Sequence, residues 1–305
     1  MQILQRIPEK AGRPGTWLLL LIVLGGILRL ACVLGPFDWF VSFFLADDYF
    51  YYAQTAWNVV HGYGSSFDQG FTHHNGYHPL YLLLHLPLFW AGLSKEMVVR
   101  AGVLLLVLAG LGSVLQSYRL GKRMGLRWRA LWVPAILSLD LYAVKSSLNG
   151  FETLLVVFLC LTLVISLLEQ RRGLWSGLWL GLTTLARVEF GVFGLAIVLF
   201  YAPRRRWRDL LEATAVAALL VVPWLLWSYL NFGSVLPLSG VSKAMHGGWS
   251  GLSEGLGVFA GRLPFLMMGT PFETRIPANF GFATGVLLLT LIVRGGRKVW
   301  WCLPP

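Results

Sequence analysis

Two adjacent carboxylates, Asp47 and Asp48, follow the first apolar stretch directly and lead into an aromatic run, Tyr49, Phe50, Tyr51 and Tyr52. Acids beside a membrane are costly without a partner or a task, so chemistry is sought there first. Histidines form a second candidate. His73, His74 and His78 raise the question of metal, because His74 and His78 stand four apart and would converge on a helix. Asn75-Gly76 between them and Pro79 after them predict a turn instead, which removes the geometric basis for ligation. Positions 48–60 carry helical spacing, with Ala53, Ala56, Trp57 and Val60 apolar and Gln54, Asn58 and His61 polar. The acids thus head an interfacial amphipathic helix, where the helix dipole also favours them as simple caps. Gly62 to Ser66 should end that helix, and Asn75 to Pro79 should launch a second interfacial segment.

The elements that hold these residues are membrane helices. The chain is 56% hydrophobic and 13% charged, with 14 Trp and 19 Phe in 305 residues, and its mean hydropathy is +0.66. That is the composition of a polytopic all-α membrane protein. The net charge of +11 resides in short basic loops between apolar runs, so it reads as topology and implies no nucleic-acid partner. Cys32, Cys160 and Cys302 lack metal-ligand spacing and read as small hydrophobes. Arg6, Lys10 and Arg13 before the stretch 16–34 suggest an uncleaved anchor, with Arg29 expected to snorkel to the interface.

Basic clusters at 119–129, 171–172, 204–208 and 294–298 belong on the cytoplasmic side with both termini. The apolar segment 79–93 is too short to cross and is expected to lie along the outer interface, inside one long extracytoplasmic loop, 35–96. Spans are then expected at 16–34, 97–118, 130–144, 153–168, 174–186, 190–201, 211–230 and 279–293. A last outer loop occupies 232–278. The reading is one integral-membrane domain over 1–305, about eight helices, in the inner or plasma membrane, with no separate C-terminal soluble domain. Under this topology Asp47, Asp48, His61, Asp68, His73, His74, Asn75, His78, Lys145, Asn149, Glu152, Arg187, Glu189, Ser239, Lys243 and His246 all face outside, around one polar cavity. Glu152 follows a turn and opens a span, so it is expected to cap a helix, with Asn149 beside it. Trp224 and Trp227 read as interface or core aromatics.

A family resemblance now rests on several pieces in order. Asp47 to Tyr52, Ala53 to Asn58, His61-Gly62-Tyr63-Gly64 and Asn75 to Tyr81 resemble the first extracytoplasmic loop of GT-C glycosyltransferases, most closely the protein O-mannosyltransferase and aminoarabinose-transferase branch. Leu148 to Thr153 resembles that family's NG(M/L)ET turn, and Leu185 to Glu189 its LAR-x-(D/E) segment. Pro223-Trp224, Asn231 to Ser234, Pro237 and Ser239 to Lys243 are similar to its PW…FG…P-x-S…K stretch.

The resemblance implies transfer of a sugar from a polyprenyl-phosphate donor to an acceptor hydroxyl on a glycan, lipid or protein at the outer face. It implies no obligatory cofactor. Asp47 matches the first acid of the family's pair and would be the general base of an inverting displacement; Asp48 would orient the acceptor, hold the base, or join Asp47 on a divalent cation. Arg187 and Lys243 would meet the leaving phosphate, with His78 and Asn75 as further donors. Competing readings stand beside these: Arg187 and Glu189 can simply pair, and Lys243 can simply be solvated. Two other classes are a membrane transporter, which calls for repeated halves and acids at mid-membrane depth, and a non-catalytic subunit of a glycan-assembly complex.

Overall fold

A computed structural model describes residues 14–235 and Pro237. Lys243, the loop 232–278 beyond Pro237 and the expected span 279–293 lie outside the described residues. Eleven α-helices follow one another: α1 (Pro14–Val33), α2 (Phe37–Phe44), α3 (Asp47–Val60), α4 (Pro79–Trp90), α5 (Lys95–Arg123), α6 (Trp132–Leu139), α7 (Leu141–Leu148), α8 (Thr153–Leu168), α9 (Gly173–Ala186), α10 (Phe193–Tyr201) and α11 (Trp207–Phe232). Short 3-10 segments precede α6 and α10. Among the described residues there is no strand, only an isolated bridge between Ser66 and His73.

Among the described residues three helices, α1, α5 and α11, are long and apolar enough to cross a membrane, and a fourth crossing results if the segment Arg127–Leu139 and α7 are one bent span. The chain is therefore a membrane protein. α8 has 16 residues and α9 has 14, so at 1.5 Å per residue they fall short of the roughly 30 Å hydrocarbon core. α5 is the central post, packing against α1, α6 and α8. Its ends are well specified: Ser94 Oγ accepts from Met97 N at 3.3 Å, Glu96 lies in the first turn, and Lys122 and Arg123 lie in the last, where the macrodipole favours cations. α9 lies close against α11 because Gly177 and Gly181 face Ala213 and Ala217 without side chains between the backbones.

The expected continuous span 130–144 is broken. Asp140 adopts extended backbone and its Oδ1 accepts from Tyr142 N and Ala143 N, restarting the helix as α7 at 55° to the preceding pair member. The break leaves last-turn carbonyls of α6 without helical partners. Arg29 supplies them: Nη2 donates to Leu137 O at 2.7 Å, Nη1 to Ser138 O at 2.8 Å and to Gly25 O at 2.9 Å, and Nε to Ser147 Oγ at 2.8 Å. Arg29 is fully buried, so the expectation that it snorkels to the interface is corrected. Its cation is held where it saturates a helix end inside the protein.

The acid pair begins α3, whose inner face packs Tyr49, Tyr52, Ala53 and Ala56 into the main core with Tyr77, Tyr81 and Val103. α3 stops at His61, where Gly62 takes φ +84°, and α4 starts at Pro79, which has no N–H to leave unpaired. Both boundaries agree with the turns expected from sequence.

Candidate active site

The start of α3 is docked onto the turn between α7 and α8. Ala46 N donates to Asn149 O at 3.0 Å, and Gly150, at φ +81°, lies flat under Tyr49; a side chain there would come within 2.6 Å of the Tyr49 ring. Only glycine meets both conditions at no cost. Asn149 caps its own turn, its Oδ1 accepting from Phe151 N at 3.0 Å.

Asp47 and Asp48 are exposed. One oxygen of Asp47 accepts the backbone N–H of Asp48 at 3.0 Å, so the acid contributes to capping while its other oxygen is available to a ligand. Among the described residues the Asp48 carboxylate makes no hydrogen bond or ion pair. The two acids point along different faces of α3. Asp48 precedes Tyr52 by one turn, and Asp47 precedes Tyr51, whose ring packs at a tilt against Phe67 with centroids 4.8 Å apart.

Tyr52 leads to the acid that the sequence undervalued. Its hydroxyl donates to Glu152 Oε2 at 3.2 Å. Glu152 Oε1 in turn faces His78 Nε2 at 3.5 Å and Arg187 Nε at 3.6 Å. Glu152 is buried and its side chain caps nothing, although it stands at the N-cap position of α8. The expected helix-cap role is therefore corrected: the carboxylate turns away from its own helix towards three groups from three other segments. Burial first, and the Glu152 charge second, hold the Tyr52 phenol well above its usual range, so it stays a hydrogen-bond donor.

Arg187 ends α9 in extended backbone, half-buried, and its Nη2 lies 3.6 Å from Glu189, an exposed acid. The expected Arg187–Glu189 pair thus exists, but Arg187 is shared with Glu152. Both contacts exceed the roughly 2.7–2.9 Å of a charge-assisted hydrogen bond, so the guanidinium retains donor capacity. Asn75 is fully buried and donates through Nδ2 to Ser228 Oγ at 2.7 Å, tying the first loop to α11. Trp224 packs against Tyr77 at 5.6 Å, as a core aromatic.

The structure therefore brings together Tyr52, His78, Glu152 and Arg187, with Asp47 and Asp48 on the turn of α3 immediately before Tyr52. The histidines do not converge: His73 is exposed, His74 Nδ1 accepts from Gly76 N at 3.2 Å, and His78 faces Glu152. Among the described residues no three His, Cys, Asp or Glu groups form a metal-binding cluster.

With this geometry in place, the comparison with family models decides the affiliation. The model of glycosyltransferase family 87 matches residues 75–302, three quarters of the chain. The chain belongs to glycosyltransferase family 87. Its family members are membrane-bound glycosyltransferases, which agrees with the apolar helices. The matched region contains Asn75, His78, Glu152, Arg187, Glu189 and Lys243, and the acid pair stands upstream of it. No curated protein and no solved structure matches the chain.

Proposed function

We propose that this family 87 glycosyltransferase takes its sugar from a polyprenyl-phosphate donor and passes it to an acceptor hydroxyl at the extracytoplasmic face. The observation that carries this is the under-saturated cation Arg187, held with His78 around a buried acid, one helical turn from an exposed carboxylate pair. A leaving lipid phosphate needs cationic and N–H donors where its charge grows, and an attacking hydroxyl needs a proton acceptor.

In this reading the acceptor oxygen attacks the anomeric carbon and its proton passes to the outward oxygen of Asp47. The bond between that carbon and the phosphate oxygen breaks, the electron pair stays on the phosphate, and the configuration inverts. Asp48 orients the acceptor. Arg187, His78 and, from the last outer loop, Lys243 receive the phosphate. Glu189 restrains Arg187 from the outer side, and Asn75 holds the loop against α11. No step requires a cofactor or a metal ion. The proposed topology keeps eight crossings, both termini in the cytoplasm, a site facing outward from the inner or plasma membrane, and the O-mannosyltransferase or aminoarabinose-transferase-like branch.

Lipid extracts from cells lacking the gene are expected to accumulate a polyprenyl-phosphate sugar, and the wild-type chain to clear it. Asp47→Asn is expected to insert normally and leave the intermediate in place. Wild-type turnover by that variant removes Asp47 as the base. A change in uptake of a labelled solute without any lipid-linked intermediate replaces the transferase reading with transport.

A further inference from the structure

The proposed reading leaves Glu152 without a task, and a buried carboxylate is costly. Its side chain is 5% exposed, and such a charge is strongly unfavourable unless it is paired. It is not spent on its own helix, since it caps no N–H of α8. Its three contacts come from α3, from the residue before α4 and from the residue after α9, at 3.2, 3.5 and 3.6 Å. Only the neutral Tyr52 contact falls within ordinary hydrogen-bond distance. The two nitrogen contacts are longer, so Glu152 constrains where Arg187 stands without consuming its donors.

Electrostatics sharpens the point. Glu152 and Glu189 both lie 3.6 Å from the Arg187 guanidinium. By charge alone, a second acid beside Arg187 weakens capture of an anion. Arginine recognises phosphate through the planar fork of its N–H groups, which works only when the guanidinium is held in one orientation. Arg187 is 34% exposed at a helix end, a position where a long side chain otherwise samples many rotamers.

We infer that Glu152 is a positioning residue for the donor phosphate. It anchors the Nε edge of Arg187 on the buried side, and so presents the remaining guanidinium donors outward. Building on the lipid-phosphate reading above, this inference predicts an effect opposite in sign to that of simple charge. Removal of the acid loosens phosphate binding, although the site becomes less negative.

Farnesyl phosphate, a short polyprenyl monophosphate, serves as the probe, titrated into the full chain in detergent. Glu152→Gln keeps an acceptor for the Tyr52 hydroxyl and nearly the same volume. It is expected to bind the probe about tenfold more weakly than wild type while keeping the gel-filtration profile. Arg187→Gln should bind at least as weakly, and the double variant no more weakly than Arg187→Gln alone, because Glu152 acts through Arg187. Unchanged or tighter binding by Glu152→Gln, or additive losses in the double variant, overturns the positioning role and leaves the lipid-phosphate reading standing. Should Glu152→Gln fail to insert, Glu152→Asp keeps the charge but withdraws it by one methylene. Looser binding then supports the role, and wild-type or tighter binding overturns it. If the wild type does not bind farnesyl phosphate, or Arg187→Gln binds it as wild type does, the donor reading fails and this inference falls with it.

Discussion

Glu152 and Glu169 stand immediately before and after the same helix, α8, roughly 24 Å apart along its axis, and their surroundings differ in kind. Glu169 takes three arginines, Arg119 at 3.2 Å, Arg123 at 3.0 Å and Arg171 at 2.8 Å. Burial tends to raise its carboxyl, but the Arg171 hydrogen bond and the three positive charges outweigh this and hold it below its usual range. Nearby, Asp209 accepts from Arg206 at 2.8 Å and from Gly173 N at 2.9 Å. At this end Glu169 and Asp209 are saturated by short contacts. At the other end one buried acid is shared among a tyrosine, a histidine and an arginine, and both nitrogen contacts are long. Short, saturated pairs fasten helix ends to one another. Long, shared ones leave donors over for a ligand.

The largest expected asymmetry is catalytic. Asp47→Asn should reduce transfer by about 10²-fold or more, as loss of a general base does, with Asp48→Asn costing less, while Arg123→Gln at the opposite end should stay within about twofold. Rates of labelled-sugar transfer in membranes normalised to inserted protein measure all three; comparable losses at the two ends would erase the distinction.

Arg187→Gln should raise the donor KM by about tenfold or more, with kcat falling less, because one charge-assisted phosphate contact is lost. A loss confined to kcat would move Arg187 from donor binding to the chemical step. Gly150→Ala should come next. The new methyl must enter the space of the Tyr49 ring at a positive φ, so α3 is pushed from the 149–152 turn. A drop of several degrees in the unfolding midpoint is expected, together with an activity loss that no substitution at the arginine end reproduces.

Glu169→Gln should have the smallest effect, lowering the midpoint at pH 7 by roughly 2–4 °C without changing donor KM. Its pH dependence has a definite sign. The folded carboxyl is depressed, so its contribution is complete above the ordinary glutamate value of about 4.3 and is lost as the pH falls through the lower folded value. Melting curves of wild type and Glu169→Gln should therefore converge only below about pH 4.

Much of this site was legible one segment at a time. The acids at the start of a helix, the glycine stop after His61 and the Pro79 start follow from local chemistry, and all are where the sequence places them. The match to family 87 agrees with the resemblance of the loop and turn motifs to membrane glycosyltransferases. Local rules misplace two charged residues. Glu152 looks like a cap because it precedes a helix, and Arg29 looks like a snorkelling residue because it sits near the end of an apolar run. Nothing within a few residues of either signals otherwise: the Tyr52 partner of Glu152 is 100 residues away, and the Ser147 partner of Arg29 is 118.

Composition and periodicity by themselves determined that this chain is helical and lives in a membrane, because apolar length and helical spacing are properties of single segments. The destination of the Glu152 and Arg29 charges was decided only by tertiary structure. A buried charge is tolerable only where other segments bring it partners, and which segments meet is fixed by helix packing and by the break at Asp140. Neither the break's angle nor the packing is carried by any one stretch of sequence.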